Sequence, residues 1–395
     1  MNWKEAKYKG ENIYDLPGNW LKIEYFEALN ILFRIENSLR VFVYIILKDN
    51  FKDKWKDLSV TSDDSETSTI GAIAKKRIAQ DKNYAYLGYS LISPLLHLTS
   101  GELIRIITSD SYWKYFKNYF PGSREIIKNK LDEIGNVRNS LAHFRPVKKG
   151  DIQLVKQNSI HTLSQIEKTL IDFINCSDIV PTNTEETWYK ELITLGINEC
   201  NLSFKQSKSE EWIKLQMSFT PPLFRKSNEW PGYRVKTLNL KSDKLLLDYN
   251  NLSKYCIALS ETAPSGYIND AENHIIEKKI NFTFGRKTME EHYQEIKQDL
   301  EEILLRVTQE TALIKEDNLA RGKLVEVANC AYHYRKSESE EYYELVANQL
   351  ITELTDLTPV EFWGSLSYSY IGFITSTEKY PWMPVDISED KDFTF

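Results

Sequence analysis

From Glu24 to about Lys56 the chain places apolar side chains at Phe26, Leu29, Phe33, Leu39, Phe42, Val43 and Ile46. This is helical spacing with a wide buried face. The most apolar part, Ile31–Leu47, is interrupted by Arg34, Glu36 and Arg40. A membrane span needs about 20 mostly apolar residues, so this segment reads as a buried helix that other elements must cover. A break is expected near Asp49-Asn50.

The segments that follow supply the cover. A polar loop over 61–69 leads to a helix over Gly71–Asp81. Tyr86–Leu98 is short and apolar. Thr99 and Glu102 have the spacing of a helix cap, with a helix running on to about Ile107. Tyr112–Phe120 is dense in aromatics that read as core, and it stops at Pro121-Gly122. Ser123 caps a helix over Arg124–Phe144, which ends because Arg145 precedes Pro146. Asp151 caps the last helix, to about Ile174. Residues 20–176 therefore read as an all-α bundle of five or six helices.

The pattern changes at the junction Pro181-Thr182-Asn183-Thr184. Tyr233–Tyr249, Tyr255–Ser260, His274–Phe284, Leu324–Tyr334 and Phe362–Thr375 alternate as strands do. Lys287–Ile314 and Tyr342–Leu357 read as helices. The expected fold is an N-terminal all-α helical bundle (1–180) followed by an α+β domain (181–395).

Charge follows the same division. Residues 1–180 hold 26 basic and 22 acidic side chains, and residues 181–395 hold 24 and 35. Within 71–150 there are 14 basic and 6 acidic. A basic surface inside a chain of net charge −7 points to an anionic partner, with a nucleic acid as one candidate. Lys75-Lys76-Arg77 is a candidate backbone-tracking run, though a solvated helix face is the more economical reading.

Several chemistries are excluded. No G-x-x-x-x-G-K-[ST] phosphate loop and no G-x-S-x-G nucleophile elbow occur. The four cysteines (176, 200, 256 and 330) have no C-x-x-C spacing, and only His333 sits near one of them. Buried free thiols in a reducing, cytoplasmic compartment are expected. The opening MNWKEAKYKGEN lacks the apolar core of a secretory signal. The C-terminal half, 181–395, carries no motif, and its acidity argues against an RNA-binding face. A sensor or regulatory role, through an inhibitory or triggering protein partner, is the expectation for it.

One constellation carries chemistry: Arg138-Asn139-Ser140-Leu141-Ala142-His143. Asn139 and His143 are four apart and share a helix face, with Arg138 one position round. His143 falls in the last turn, where the helix dipole favours the imidazolium. Arg145, Lys148 and Lys149 follow. A His can move the proton of a ribose 2′-hydroxyl or of a leaving oxygen, and a guanidinium can stabilise charge on a phosphorane-like transition state. On spacing alone, Arg138 pairing with Glu133 or Asp132, and His143 capping carbonyls, is the favoured arrangement. Glu36 and Arg40, four apart on the first helix, are candidates to orient Arg138 or His143. They are equally an intrahelical ion pair, with Glu36 as a prop under Arg138.

Residues 20–175 resemble the HEPN superfamily, in the branch of Swt-type and abortive-infection proteins. The resemblance rests on FEALNILFRIENSLRVFVYIIL, on GELIRIITSDSYWKYFKNYFPGSREIIKNKLDEIGNVRNSLAHFRP and on KKGDIQLVKQNSIHTLSQIEKTL, in that order. The family motif is Arg, a polar residue, then His after four to six residues, and Arg138, Asn139 and His143 match it. The resemblance implies a helical domain that dimerises, with two motifs across a cleft. It implies metal-independent endoribonuclease activity that needs no cofactor, in phage defence or as a toxin. Arg145, Lys148 and Lys149 would then hold flanking RNA phosphates. The family also contains non-catalytic members, so a scaffold binding a partner protein or nucleotide is the alternative.

Overall fold

The computed structural model describes residues 7–10, 13–15, 23–61, 67–81, 93–143, 145, 147–176, 184–229, 232–262, 264–268, 274–336, 341–355 and 357–365. The chain opens with a small hairpin, β1 (Lys7–Gly10) and β2 (Ile13–Asp15). The long apolar stripe forms α1 (Ile23–Phe51), which passes into a 3-10 turn at Lys52–Asp57. The break falls at Lys52, whose φ of 57° no helix accommodates.

The region expected as a loop over 61–69 is instead flanked by a second hairpin. Its strands are β3 (Ser59–Thr61) and β4 (Thr67–Thr69), with Ser59 opposite Thr69 and Val60 buried. Hydroxyl-bearing residues fit a short pleated edge as well as a loop. The N-terminal half is therefore helical with two hairpins, not all-α. Its other helices are α2 (Ile70–Asp81), α3 (Ser100–Thr108), the short α4 (Trp113–Phe116), α5 (Arg124–Ala142) and α6 (Lys149–Asn175). Of the Tyr86–Leu98 segment, only a turn at Pro94–His97 falls among the described residues. Thr99 and Glu102 form the expected reciprocal cap of α3. Ser123 occupies the N-cap position of α5 without a side-chain capping bond to the helix backbone. Asp151 lies inside the first turn of α6, not at its cap, and its carboxylate accepts the Lys148 N–H at 2.9 Å.

Ile31, Leu39 and Phe42 of α1 pack with Leu103 and Ile107 of α3, Leu131 of α5 and Leu163 and Ile166 of α6. The aromatic run closes this core: Phe42 meets Phe116, Tyr119 and Phe120 at ring distances of 5.9, 5.2 and 6.3 Å.

The second half adds α7 (Thr187–Ile193), β5 (Gly196–Ile197), β6 (Cys200–Gln206), β7 (Trp212–Phe219), β8 (Arg225–Glu229), β9 (Gly232–Leu240), α8 (Lys244–Leu247) and α9 (Asn250–Tyr255). It continues with β10 (Ala258–Glu261), β11 (Ser265–Ile268), β12 (His274–Gly285), α10 (Arg286–Lys315), β13 (Val325–Lys336), β14 (Glu341–Val346) and β15 (Phe362–Ser365). One sheet runs β15-β10-β12-β7-β6-β5, with β11 also on β12; a second runs β14-β13-β9-β8. Only β10 and β15 pair in parallel among these. The α10 stripe Ile296, Leu300, Ile303 and Val307 shares a core with Leu215, Met217, Ile280 and Phe282 of the larger sheet.

The chain is thus an α plus β protein. The expected helix over Tyr342–Leu357 is replaced by β14 and a 3-10 turn at Asn348–Leu350. Pairing along β13, with Tyr343 opposite Tyr334 and Leu345 opposite Tyr332, outweighs the helical propensity of that segment. Strands β6 and β7 were not anticipated from the sequence.

The two halves share a core. Trp212, Ile257 and Ala258 belong to the cluster formed by the N-terminal helices. Phe173 of α6 meets Trp212 at 5.2 Å. The Tyr44 hydroxyl on α1 donates to the Ile257 carbonyl at 2.6 Å. Lys48 makes a buried ion pair with Glu361 at 2.6 Å and donates to the Ser253 carbonyl at 2.8 Å. The junction residues 181–183 lie outside the described residues. No described helix is long and apolar enough to cross a membrane.

Candidate functional site

Helix α5 brings the motif together. It buries Ile127, Leu131, Ile134 and Leu141, which turns the intervening face of Asn136, Asn139, Ser140 and His143 outward. The helix ends at Ala142, earlier than expected: His143 takes the C-cap position at φ −95° and ψ 15°, outside helical dihedrals, and its N–H makes a last helical bond to the Asn139 carbonyl at 3.2 Å. Phe144 and Pro146 lie outside the described residues.

A surface pocket of about 620 Å³ opens over this end of α5. It is lined by Arg138, Asn139, His143 and Arg145, together with Asn136 and Ser140 on the same helix and Thr99 and Gly101 from the start of α3. Asn139, His143 and Arg145 are exposed, and Arg138 is 34% exposed. Lys148 and Lys149, at the start of α6, are exposed but do not line the pocket.

Glu36 and Arg40 stand behind the motif on α1. The Arg138 guanidinium donates to Glu36 through Nε at 2.8 Å and Nη2 at 3.3 Å. Its Nη1 lies 3.5 Å from Asn139 Oδ1. Glu36 also accepts from Ser100 Oγ at 2.7 Å and from Arg40 Nη2. Arg40 is anchored in turn on the carbonyls of Leu95 and Leu98, both at 3.2 Å. Burial alone would raise the Glu36 carboxyl. Arg40, the Ser100 hydroxyl and Arg138 outweigh it and hold the group below its ordinary value. Both readings of Glu36 therefore meet in one geometry: it pairs with Arg40 within α1 and fixes Arg138 across to α5. The pairing of Arg138 with Glu133 or Asp132 is not what forms; Glu133 instead accepts from Asn158 of α6 at 2.6 Å.

The pocket's other wall is fixed by a buried charge. Glu102 on α3, fully buried, takes a bidentate bond from Arg77 of α2 at 2.7 and 2.8 Å while capping the Thr99 N–H at 2.8 Å. Arg77 is therefore committed to structure, and of that basic run only Lys75 and Lys76 are exposed.

Sequence reasoning missed Thr99, Ser100, Gly101, Asn136 and Ser140. The spacing 136, 139, 140, 143 is a polar helical stripe and was a usable signal for two of them. Nothing local marks the start of α3 as its neighbour. Among the described residues no group of three or more His, Cys, Asp or Glu side chains is placed to hold a metal ion. All four cysteines are buried and unpaired. Burial pushes the thiols up, to about 11 for Cys176 and Cys330 and about 12 for Cys256.

Compared with known proteins, the chain matches no family model, no curated protein and no solved structure.

Proposed function

We propose that the chain is a HEPN-type endoribonuclease, independent of metal and cofactor, that acts as a homodimer in the cytoplasm as a conditional toxin in phage defence. The observation that carries this reading is the pocket in which Arg138, Asn139, His143 and Arg145 meet, open to solvent and, among the described residues, lined by residues between 99 and 145. Arg138 binds the scissile phosphate through the edge that Glu36 leaves unoccupied, and Asn139 orients phosphate or imidazole. His143 of one subunit takes the 2′-hydroxyl proton as the 2′-oxygen attacks phosphorus. The P–O5′ bond breaks and the second subunit's His143 protonates the leaving oxygen. The products are a 2′,3′-cyclic phosphate and a 5′-hydroxyl.

Two motifs are needed because one imidazole supplies only one of these proton transfers. Leu29 of α1, 51% exposed, lies on the helix stripe that continues at i+7 and i+11 to Glu36 and Arg40 and is where pairing beside the motif would be sought. Arg145, Lys148 and Lys149 hold flanking phosphates, which makes binding salt-dependent. The acidic second half keeps its expected role as sensor or regulator, responding to a triggering or inhibitory protein.

A second reading, a non-catalytic scaffold, is favoured by one fact: Glu36 already occupies two donors of Arg138, as a purely structural prop would. The test is incubation of wild type, His143→Ala and Arg138→Ala with structured and single-stranded RNAs in EDTA. Cleavage that yields cyclic-phosphate ends and falls by about 10²–10⁴ in each variant supports the nuclease. Equal fragments from all three proteins, or none from a confirmed dimer, leave the scaffold.

A further inference from the structure

A second pocket, of about 580 Å³, lies away from the motif, where the C-terminal end of α6 meets the β6–β7 hairpin. The hairpin turn is clamped to the helix. The Asp172 carboxylate accepts the N–H groups of Lys208 at 2.8 Å and Ser209 at 3.1 Å. Glu210 in the turn adopts φ 61°, a left-handed conformation that side-chain-bearing residues seldom take. Arg286 pairs with it at 2.7 Å. The wall is therefore built, and not a loop lying over a gap.

Gln206, the last residue of β6, forms part of that wall and is 1% exposed. Neither Nε2 nor Oε1 of its carboxamide has a hydrogen-bond partner among the described residues. Buried amides are nearly always satisfied, so an orphan of this kind calls for an explanation. Beside it stand the Tyr119 phenol and the Glu211 carboxyl; Lys168 and Lys208 are exposed at the rim. Burial, with the nearby carboxylates of Asp172 and Asp49, raises Glu211, which makes it a better partner for neutral hydroxyls than for a cation.

We infer that this pocket binds a nucleoside monophosphate, its base edge on the Gln206 carboxamide and its phosphate on Lys168 and Lys208. A carboxamide carries one acceptor and a donor side by side, the complement of an adjacent donor and acceptor on a base. The size lies in the range of small-ligand sites, and the position between two halves of a fold is a common one for them. A bare anion would use the two lysines and leave the amide orphaned; an apolar ligand would satisfy neither. The Asp172 carboxylate is held on the turn by two N–H groups, and its charge is what the exposed Lys168 and Lys208 at the rim must outweigh for the phosphate. The inference concerns a site separate from the α5 motif and stands whether or not that motif cleaves RNA.

The experiment is titration of the full chain with AMP, CMP, GMP, UMP and inorganic phosphate, followed by calorimetry and thermal melting. At least one monophosphate is expected to bind and raise the melting temperature, and to do so equally in Arg138→Ala. Gln206→Leu should weaken binding about tenfold or more. That variant should melt no lower than wild type, since an apolar replacement removes an orphaned polar group. The exposed double change Lys168→Met/Lys208→Met should weaken binding and flatten its salt dependence. Four results would each overturn the proposal: no binding of any monophosphate at millimolar concentration, unchanged affinity in Gln206→Leu, loss of binding in Arg138→Ala, or the same stabilisation by inorganic phosphate alone.

Discussion

Glu36 gathers three donors, Arg40, Arg138 and Ser100, on its two oxygens. Its carboxyl is held below the ordinary 4.5, so it contributes stability in full above that value. The contribution is lost as pH falls through the lower folded-state value. Glu36→Gln should therefore be less stable than wild type at pH 7, with the gap closing as pH falls below 4.5 and through the lower folded-state value, as followed by denaturant titration. The motif residues Arg138, Asn139 and His143 were legible as a cluster because helical spacing is local. Ser100 was not, because its bond to Glu36 spans 64 positions and no local pattern encodes it. Arg77 misled for the same reason: beside Lys75 and Lys76 it looks like surface, and only the fold supplies Glu102.

Caps and periodic stripes decide most elements. The Thr99 cap of α3 also forms one edge of the motif pocket. Thr99→Ala should cost about 0.5–2 kcal/mol in equilibrium unfolding. Under the nuclease reading it should also lower cleavage at a temperature where the variant is fully folded. Helices α1, α5, α6 and α10 and strands β9, β12 and β13 were legible from period and punctuation. The β6–β7 hairpin was not. Strand β7 is buried on nearly every residue of Trp212–Phe219, and a strand covered on both faces loses the alternation that would announce it; β6 does alternate, with Cys200, Leu202 and Phe204 buried between more exposed neighbours, and was a readable signal that went unused. Segment 342–357 failed in the opposite way, since residues with good helix propensity were drawn into a sheet by the partner strand β13.

At the scale of the whole molecule, the shared core and the buried Lys48–Glu361 pair tie the helices to the sheet. Glu361→Ala leaves an ammonium that is 1% exposed without its counter-charge. It should cost about 3–5 kcal/mol. The double variant Lys48→Met/Glu361→Leu should recover much of that loss, since the stranded charge is then gone. Calorimetry of wild type is expected to give one transition rather than two, because Trp212, Ile257 and Ala258 of the second half are packed into the core of the N-terminal helices and the Lys48–Glu361 pair is buried between the halves.

Helix α1 runs without interruption from Glu36, under the motif, to Lys48, on the sheet. Twelve residues at about 1.5 Å each make a shaft of about 18 Å. Under the regulatory reading proposed for the second half, this shaft is the route by which a displacement at Lys48 would be felt at Arg138, at a distance and without any contact with the pocket.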